Sequence, residues 1–453
     1  MKPKIEGREH NPYQWFFNKE VNGSVLLLLA AVSAACLANS RFHGMYEHLL
    51  HLNISFSFST FTYSSSLQHF INDGLMALFF FTVGLEIKRE ILVGELATPK
   101  MALLPIIAAA GGMLVPGLIY VAFNYGTPSI SGWGIPVATD IAFSLGVIAL
   151  LGRNLPIGLR IFLSTFAIAD DLGAVLVIAL FYTNSIAMNF LAASLICTLI
   201  LVIANLLYIR SITFYVVVGF FTWACVLGSG VHATIAGVVV AMLVPARGKY
   251  DMVRFIGIVR YITEKMQTNR DVDGQWFSIF IKPEHLNNVQ ELESACHDVA
   301  PPLQRMEHAL LPSVTFGILP LFAFFNAGVS LQNMSMTALV SNPVTLGCFL
   351  GLFVGKPIGI SLASYAAVRM GVATLPFKVR WHHVAGAGML GGIGFTMSLF
   401  ISGLSFTDTY LLNCSKLGIF SGSILSALAG LAFLGFYVCR DRRIYEEVRP
   451  STN

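Results

Sequence analysis

Long apolar runs follow one another along almost the whole chain, separated by short stretches rich in Gly, Pro, Asn and charged residues. A run of about 20 apolar residues is long enough for an α-helix to cross a hydrocarbon core about 30 Å thick. The pattern therefore predicts an all-α polytopic membrane protein with about twelve transmembrane helices. The predicted segments cover residues 22–39, 67–90, 101–123, 130–152, 159–182, 188–209, 213–227, 231–245, 307–328, 343–367, 382–404 and 416–438.

Two stretches depart from this pattern. Residues 54–63 alternate between apolar and polar, which is the period of a strand with one apolar face. They form either an extended loop lying on the membrane or a small external β-hairpin within about residues 45–66. We favour the hairpin, and we expect it to join two copies in a homodimer because an isolated hairpin is only marginally stable. Residues 246–306 are highly charged and predict a cytoplasmic insertion loop, either irregular or partly helical, without a functional motif.

Composition supports the membrane assignment. The 453 residues include 28 Lys and Arg and 24 Asp and Glu, together 11% of the chain, whereas a soluble protein carries about 25%. Mean hydropathy is +0.72. The net charge of +4 is spread over short loops and forms no basic patch for nucleic acid. Seven Cys occur singly without metal-ligand spacing, so we expect neither a disulfide framework nor a bound cofactor.

Loop charges orient the predicted helices. Lys and Arg concentrate in alternate loops, while the opposite loops contain only Arg41 and Lys416. By the positive-inside rule, we expect the N-terminal tail (1–21) and the C-terminal tail (439–453) to be cytoplasmic. The insertion at 246–306 then separates segments 1–8, within residues 22–245, from segments 9–12, within residues 307–438.

The charges also bear on residues 212–245, which form either one long kinked helix or two short ones. Arg210 and Arg247 mark both ends as cytoplasmic, and the middle is Leu227-Gly-Ser-Gly230. The segment should therefore turn back as a helical hairpin. Arms of about 15 residues, roughly 22 Å, are too short to span alone, so protein must shield their ends.

Four charged residues are predicted at mid-depth in the membrane: Asp140, Asp170, Asp171 and Lys356. Burying such groups costs several kcal/mol unless they are paired or hydrated, so each suggests a functional site. Asp170 follows the cytoplasmic Arg160 by ten residues, about 15 Å along a helix. Adjacent carboxylates at this depth can bind a small hard cation or carry protons, although they could also only cap a broken helix. Lys356 needs a partner, either Asp170 or the carbonyl end of a helix.

Segment 4 should be interrupted near Thr139. Pro136 and the nearby glycines weaken the helix, and Asp140 can neutralise the helix N-terminus that a break exposes. Thr139 could add an oxygen ligand; alternatively, Asp140 has a purely structural role. Residues 386–394 contain five glycines, which favour either tight packing or a matching break in segment 11. Segments 3–5 and 10–12 have inverted topology, and interrupted helices at matching positions are typical of transporter substrate sites.

At these residues the chain resembles the NhaA-type sodium/proton antiporters, a family that is itself a known example of inverted repeats. The likeness covers nearly the whole chain except residues 246–303. The matching stretches are Phe79-Phe-Phe-Thr-Val-Gly-Leu-Glu-Ile-Lys-Arg-Glu90, Gly134-Ile-Pro-Val-Ala-Thr-Asp-Ile-Ala-Phe143, Ala167-Ile-Ala-Asp-Asp-Leu-Gly173, Gly230-Val-His-Ala-Thr-Ile-Ala-Gly237, Leu319-Pro-Leu-Phe-Ala-Phe-Phe-Asn-Ala-Gly328, Gly355-Lys-Pro-Ile-Gly359 and Gly391-Gly-Ile-Gly-Phe-Thr-Met397.

The resemblance implies roles for individual residues. Asp171 would be the principal cation ligand, and Asp170 would pair with Lys356 when no ion is bound. Thr139 and Asp140 would complete or tune this site. Residues of the pH response would be Glu86, Arg89, Glu90, His232, Glu307 and His308. Both histidines could instead be hydrogen-bonded structural residues. Gln304 and Leu311 depart from the family pattern beside this group, where basic and histidine side chains are expected.

The expected function is transport rather than catalysis. The resemblance implies electrogenic, pH-regulated exchange of cytoplasmic Na⁺ or Li⁺ for external H⁺ in a bacterial inner membrane. A sodium-coupled symporter for an organic solute is the alternative on a related fold. An intramembrane aspartyl protease needs two facing aspartates, and it is disfavoured because Asp170 and Asp171 are sequential.

Overall fold

The structure, a computed structural model, describes residues 12–58, 61–151, 155–182, 187–268, 283–330 and 336–448. Within these ranges, nine helical spans are long and apolar enough to cross a membrane, and two bent helix pairs raise the number to eleven. A further apolar helix at Ala233–Leu243 is shorter and coincides with the predicted segment 231–245. The predicted helical membrane architecture is confirmed at this level.

The first half of the chain contains ten helices and one pair of strands among its described residues. They are α1 (Pro12–Ala38), α2 (His43–Leu50), β1 (Asn53–Phe58), β2 (Phe61–Ser66), α3 (Leu67–Phe70), α4 (Met76–Val93), α5 (Pro99–Asn124), α6 (Ile141–Leu150), α7 (Ile157–Phe181), α8 (Met188–Leu206), α9 (Ile212–Ser229) and α10 (Ala233–Leu243). A π-helical turn, Ile71–Leu75, joins α3 to α4, and a 3-10 helix, Pro128–Val137, precedes α6. Helix α1 begins inside the stretch expected to be a tail.

The second half contains the insertion and the remaining spans. Its described helices are α11 (Met252–Thr268), α12 (Pro283–Val299), α13 (Pro302–Ser313), α14 (Leu319–Asn326), α15 (Met336–Val340), α16 (Pro343–Leu350), α17 (Lys356–Arg369), α18 (Trp381–Gly391), α19 (Phe395–Ser405) and α20 (Thr409–Val448). Further π turns join α13 to α14 and α16 to α17. The expected insertion loop thus contains two helices, and α20 continues into the expected C-terminal tail.

Strands β1 and β2 form an antiparallel hairpin. Asn53 pairs with Ser66 at its open end, and Phe58 pairs with Phe61 beside the turn. The turn residues 59–60 lie outside the described ranges. The hairpin is therefore confirmed over the alternative of an extended loop.

Helices α9 and α10 form the predicted helical hairpin. Gly230 joins them with φ +83°, in the left-handed region that glycine adopts readily. Helix α10 packs closely on α4, where a Cβ on Gly237 would lie 2.3 Å from the Ala77 carbonyl oxygen. Two helices, rather than one kinked helix, therefore occupy this segment. The expectation that both arms are too short to span is wrong for α9, whose 18 residues are long enough to cross a membrane, and holds for α10, which α4 partly shields.

The two ends of the helical bundle are distinguished by what projects from them. Lys88, near the end of α4, donates to the carbonyls of Met242 and Val244, so α4 and α10 end on the same side. The insertion α11–α12 leaves from there, and we call this end the insertion side. The β-hairpin precedes α3 at the other end of the same span, which we call the hairpin side. Helices α5, α7 and α17 pack together between these ends.

Candidate functional site

Two interrupted helices meet in the middle of the bundle. The 3-10 helix and α6 are bent by 42° around residues 138–140, and α18 and α19 are bent by 45° around residues 392–394. The Asp140 amide donates to the Ile393 carbonyl at 2.7 Å, and the Thr139 hydroxyl donates to the Gly391 carbonyl at 2.9 Å. Both predicted breaks are present, and we call this region the crossing.

The glycines of the second break permit this close approach. A Cβ on Gly394 would lie 3.0 Å from the Ala138 carbonyl oxygen, and one on Gly392 would lie 2.5 Å from the Leu352 carbonyl oxygen. Gly394 thus allows the two interrupted helices to approach each other, and Gly392 allows the second one to pack against the π turn between α16 and α17. The glycine run thus serves both a break and tight packing.

Asp140 caps two helices at once. One carboxylate oxygen accepts from the Phe143 amide at 2.9 Å, at the N-terminus of α6. The other accepts from the Thr396 amide at 3.1 Å and from the Thr396 hydroxyl, at the N-terminus of α19. Because helix N-termini carry partial positive charge, one buried anion stabilises both ends.

Lys356 binds Asp170, which is one of the two partners that its predicted depth in the membrane left open. Their Nζ and Oδ2 atoms are 2.6 Å apart, and both side chains have no exposed area. The ammonium also donates to the Thr139 hydroxyl at 2.6 Å. The pair on α7 and α17 is thereby connected to the crossing.

Asp171 lies next to this pair with an unsatisfied carboxylate. It is 1% exposed, and neither of its side-chain oxygens has a hydrogen-bond partner among the described residues. Oδ1 of Asp170 is also buried without a hydrogen-bond partner among the described residues. Buried carboxylate oxygens need a cation, a proton or a donor, since an isolated buried charge is very unfavourable. These oxygens fit a small hard cation as cargo, because such ions prefer oxygen ligands.

A cavity of about 740 Å³ leads from the insertion side towards the crossing. Its lining includes the exposed His308 near the surface, and Asp140 and Thr396 at the crossing. Thr165 also lines it, five residues or about 7.5 Å before Asp170 along α7. The walls of the cavity are mostly apolar. Among the carboxylates of the site, Asp140 lines it directly, whereas Asp170 and Asp171 are not among its lining residues.

Four of the predicted pH-response residues meet where this cavity opens. Arg89 contacts Glu307 at 2.9 Å, Glu90 at 3.0 Å and Glu86 at 3.7 Å. We call these four residues the mouth cluster. His308 lines the same cavity. His232 is not brought to them: its Nε2 contacts the Tyr182 carbonyl, at the hairpin side of α7.

Comparison with known proteins places this geometry in a family. The family described as Na⁺/H⁺ antiporter 1 matches residues 14–434. The chain belongs to this family.

Individual relatives agree over almost the full length. The chain is 48% identical over 423 residues to Na⁺/H⁺ antiporter NhaA 2 of Syntrophotalea carbinolica, covering 93% of this chain and 96% of that protein. It is 45% identical to Na⁺/H⁺ antiporter NhaA 1 of Saccharophagus degradans, covering 93% and 91%. It is 40% identical to Na⁺/H⁺ antiporter NhaA 2 of Clostridium beijerinckii, covering 98% and 99%. The resemblance drawn from the motifs is confirmed.

The sequence analysis of this Na⁺/H⁺ antiporter 1 family member did not predict two side chains of the site, Thr396 and Ser423. Thr396 donates to Asp140, and Ser423 on α20 accepts from the amides of Gly394 and Phe395 at 3.2 Å. Thr396 is the second residue of α19, just after the glycine-rich break, and this position could have marked it as part of a helix start. No local signal marked Ser423, which reaches the break from a separate helix.

Proposed function

We propose that this chain exchanges Na⁺ or Li⁺ for H⁺ across a bacterial inner membrane. The observation that carries the proposal is the buried, unsatisfied carboxylate of Asp171 beside the Lys356–Asp170 pair. The relatives named above are Na⁺/H⁺ antiporters, which supports the same reaction class and not the symporter alternative.

The exchange is competition at one site. With no cation bound, protons neutralise the carboxylates or Lys356 pairs with Asp170. When Na⁺ arrives through the cavity, Asp171 and Asp170 ligate it, the protons leave, and Lys356 loses its partner. Thr139 and Asp140 hold the crossing beside the site and tune its charge. If two protons are exchanged for one Na⁺, each cycle moves net charge and responds to membrane potential.

The proposal includes the number of membrane segments, their orientation and the assembly of two copies. Twelve segments would cross the membrane, with segments 3–5 and 10–12 forming inverted repeats around the crossing. Both termini and the insertion side would face the cytoplasm, so cytoplasmic Na⁺ enters through the cavity and leaves outside. The β-hairpin would join two copies in a homodimer. Alternating access then follows from rocking of helices around the site.

pH regulation is assigned to the mouth cluster together with His308. One arginine meets three carboxylates there, so protonation of any of them changes the charge at the cavity entrance. His232 would act separately from the hairpin side, where its contact with a carbonyl also suits a structural role.

The test is transport by an Asp171→Asn variant. In everted vesicles, adding Na⁺ should collapse the pH gradient for the wild type and should not do so for the variant, because the amide carries no charge and releases no proton. Glu293→Gln, the same change on the exposed α12, is the matched control and should behave as wild type. Wild-type collapse by Asp171→Asn would overturn the assignment.

A further inference from the structure

The insertion is a helical pair tied to the bundle at its base. The Lys249 amide donates to the Asp298 carbonyl at 2.7 Å, and the Leu303 amide donates to the Pro245 carbonyl at 3.2 Å. Helix α11 begins only nine residues after α10 ends. Its N-terminal turns are therefore held close to the end of a membrane helix.

Helix α11 has two apolar faces. Ile262 is 2% exposed on the face that packs against α12. On a second face, Met252 is 63% exposed, Val253 80% and Ile256 57%. At about 100° per residue these three lie within one arc of about 100°, which also contains Arg260. An exposed apolar strip beside a basic side chain is typical of helices that lie in a membrane interface.

The two insertion helices differ in charge. Helix α11 contains three basic residues and one acidic residue, whereas α12 contains no Lys or Arg. The acidic side chains of α12 include Glu291, Glu293 and Asp298. Of the three basic residues of α11, only Arg260 lies within the arc of the exposed apolar strip; Arg254 and Lys265 lie at least about 100° outside it. An anionic surface therefore attracts this face of α11 through Arg260 and repels α12.

We infer that α11 docks on anionic phospholipid headgroups of the membrane that holds the protein. Met252, Val253 and Ile256 enter the boundary between headgroups and acyl chains, and Arg260 lies beside lipid phosphates. Helix α12 faces water. The tether keeps this lipid surface within reach at all times, whereas a soluble partner must be recruited from solution. The inference is independent of the transport proposal because it concerns binding alone.

The test is hydrogen exchange of the full-length protein in lipid nanodiscs. Backbone amides of residues 252–262 are compared between discs of phosphatidylcholine alone and discs that also contain phosphatidylglycerol. We expect slower exchange in α11 with phosphatidylglycerol, reversal at high salt because charges are screened, and no change in α12. Equal exchange of α11 in both lipids would overturn the inference.

Two variants separate lipid docking from other causes. Val253→Glu should abolish the effect of phosphatidylglycerol, while Val289→Glu, on the exposed face of α12, should retain it. Arg260→Gln should weaken docking about fivefold, the contribution of one basic side chain near an anionic surface. Loss of the effect in both glutamate variants contradicts the assignment to α11. Protection that appears only in discs holding two copies would instead make α11 an interface between copies.

Discussion

The Lys356–Asp170 pair beside the crossing and the mouth cluster both hold charged side chains in contact, but in different surroundings. Lys356 and Asp170 are fully buried, whereas Arg89 is 31% exposed and Glu86 29%. A buried pair that loses one partner leaves a charge without compensation, while a pair that reaches water is rehydrated. The buried Lys356–Asp170 pair should therefore determine stability and cation binding. The ion pairs of the mouth cluster should only adjust the charge at the cavity entrance.

The largest effect is expected at the buried pair. Lys356→Met should lower the free energy of unfolding by about 3–5 kcal/mol, because Asp170 stays buried without its cation. The double variant Lys356→Met/Asp170→Asn should regain much of this loss in thermal denaturation. Lys100→Met, at an exposed position, is the control. A double variant less stable than the single one would contradict this account of the pair.

A smaller effect is expected at the shared helix cap. Asp140→Ala should cost about 2–4 kcal/mol, since a cap contributes about 1–2 kcal/mol and two helices lose theirs. Asp140→Asn keeps an acceptor for each helix and should cost less, while Na⁺ affinity changes because the charge is gone. Thermal denaturation and Na⁺ titration of both variants test this. Equal stability of the two would show that capping is unimportant there.

The mouth cluster should respond mainly in its pH profile. Glu307→Gln removes one of three carboxylates around Arg89. The side chain of Glu307 is only 9% exposed, but Gln keeps an oxygen that can accept from Arg89, which is 31% exposed, so the free energy of unfolding should fall by only about 1 kcal/mol. Exchange should persist while its pH dependence shifts. Na⁺-induced collapse of the pH gradient, measured across a pH series, is the test. Abolished exchange at every pH would place Glu307 in the binding machinery instead.

The smallest expected effect is the interaction between His232 on the hairpin side and Glu307 in the mouth cluster. His232 contacts the Tyr182 carbonyl at the hairpin side, whereas Glu307 contacts Arg89 in the mouth cluster at the insertion side. Shifts in the pH profile from His232→Gln and Glu307→Gln should add in the double variant, because distant sites do not share partners. A strongly non-additive double variant would show coupling between the hairpin side and the mouth.

Local sequence signals predicted much of the fold. Pro136 and the glycines near residue 392 marked both breaks, and alternation over residues 54–63 marked the β-hairpin. Such features depend on neighbouring residues alone. The site was predicted only in part. Membrane depth indicated that Lys356 needs a partner, either Asp170 or a carbonyl helix end, and the family resemblance implied Asp170, whereas the second helix capped by Asp140 was not predicted. That cap joins residues 256 positions apart, and no local pattern specifies such a contact.

The insertion illustrates the same limit. Its composition predicted a polar insertion that could be partly helical but did not place any helix, and the structure shows α11 and α12 packed as a pair there. High charge and modest apolar content do not distinguish a loop from helices that bury one narrow face. The fold of this segment depends on Ile262 and a few similar contacts between the two helices.

The double cap at Asp140 constrains which parts can move against each other. Pulling α6 away from α19 would break two hydrogen bonds from Thr396 to a buried charge, each of about 1.5–3 kcal/mol. Moving both half-helices together breaks neither. The two should therefore behave as one rigid body during a transport cycle, with a nearly constant distance between them while surrounding helices shift. Distance measurements between labels on α6 and α19 would follow that body directly.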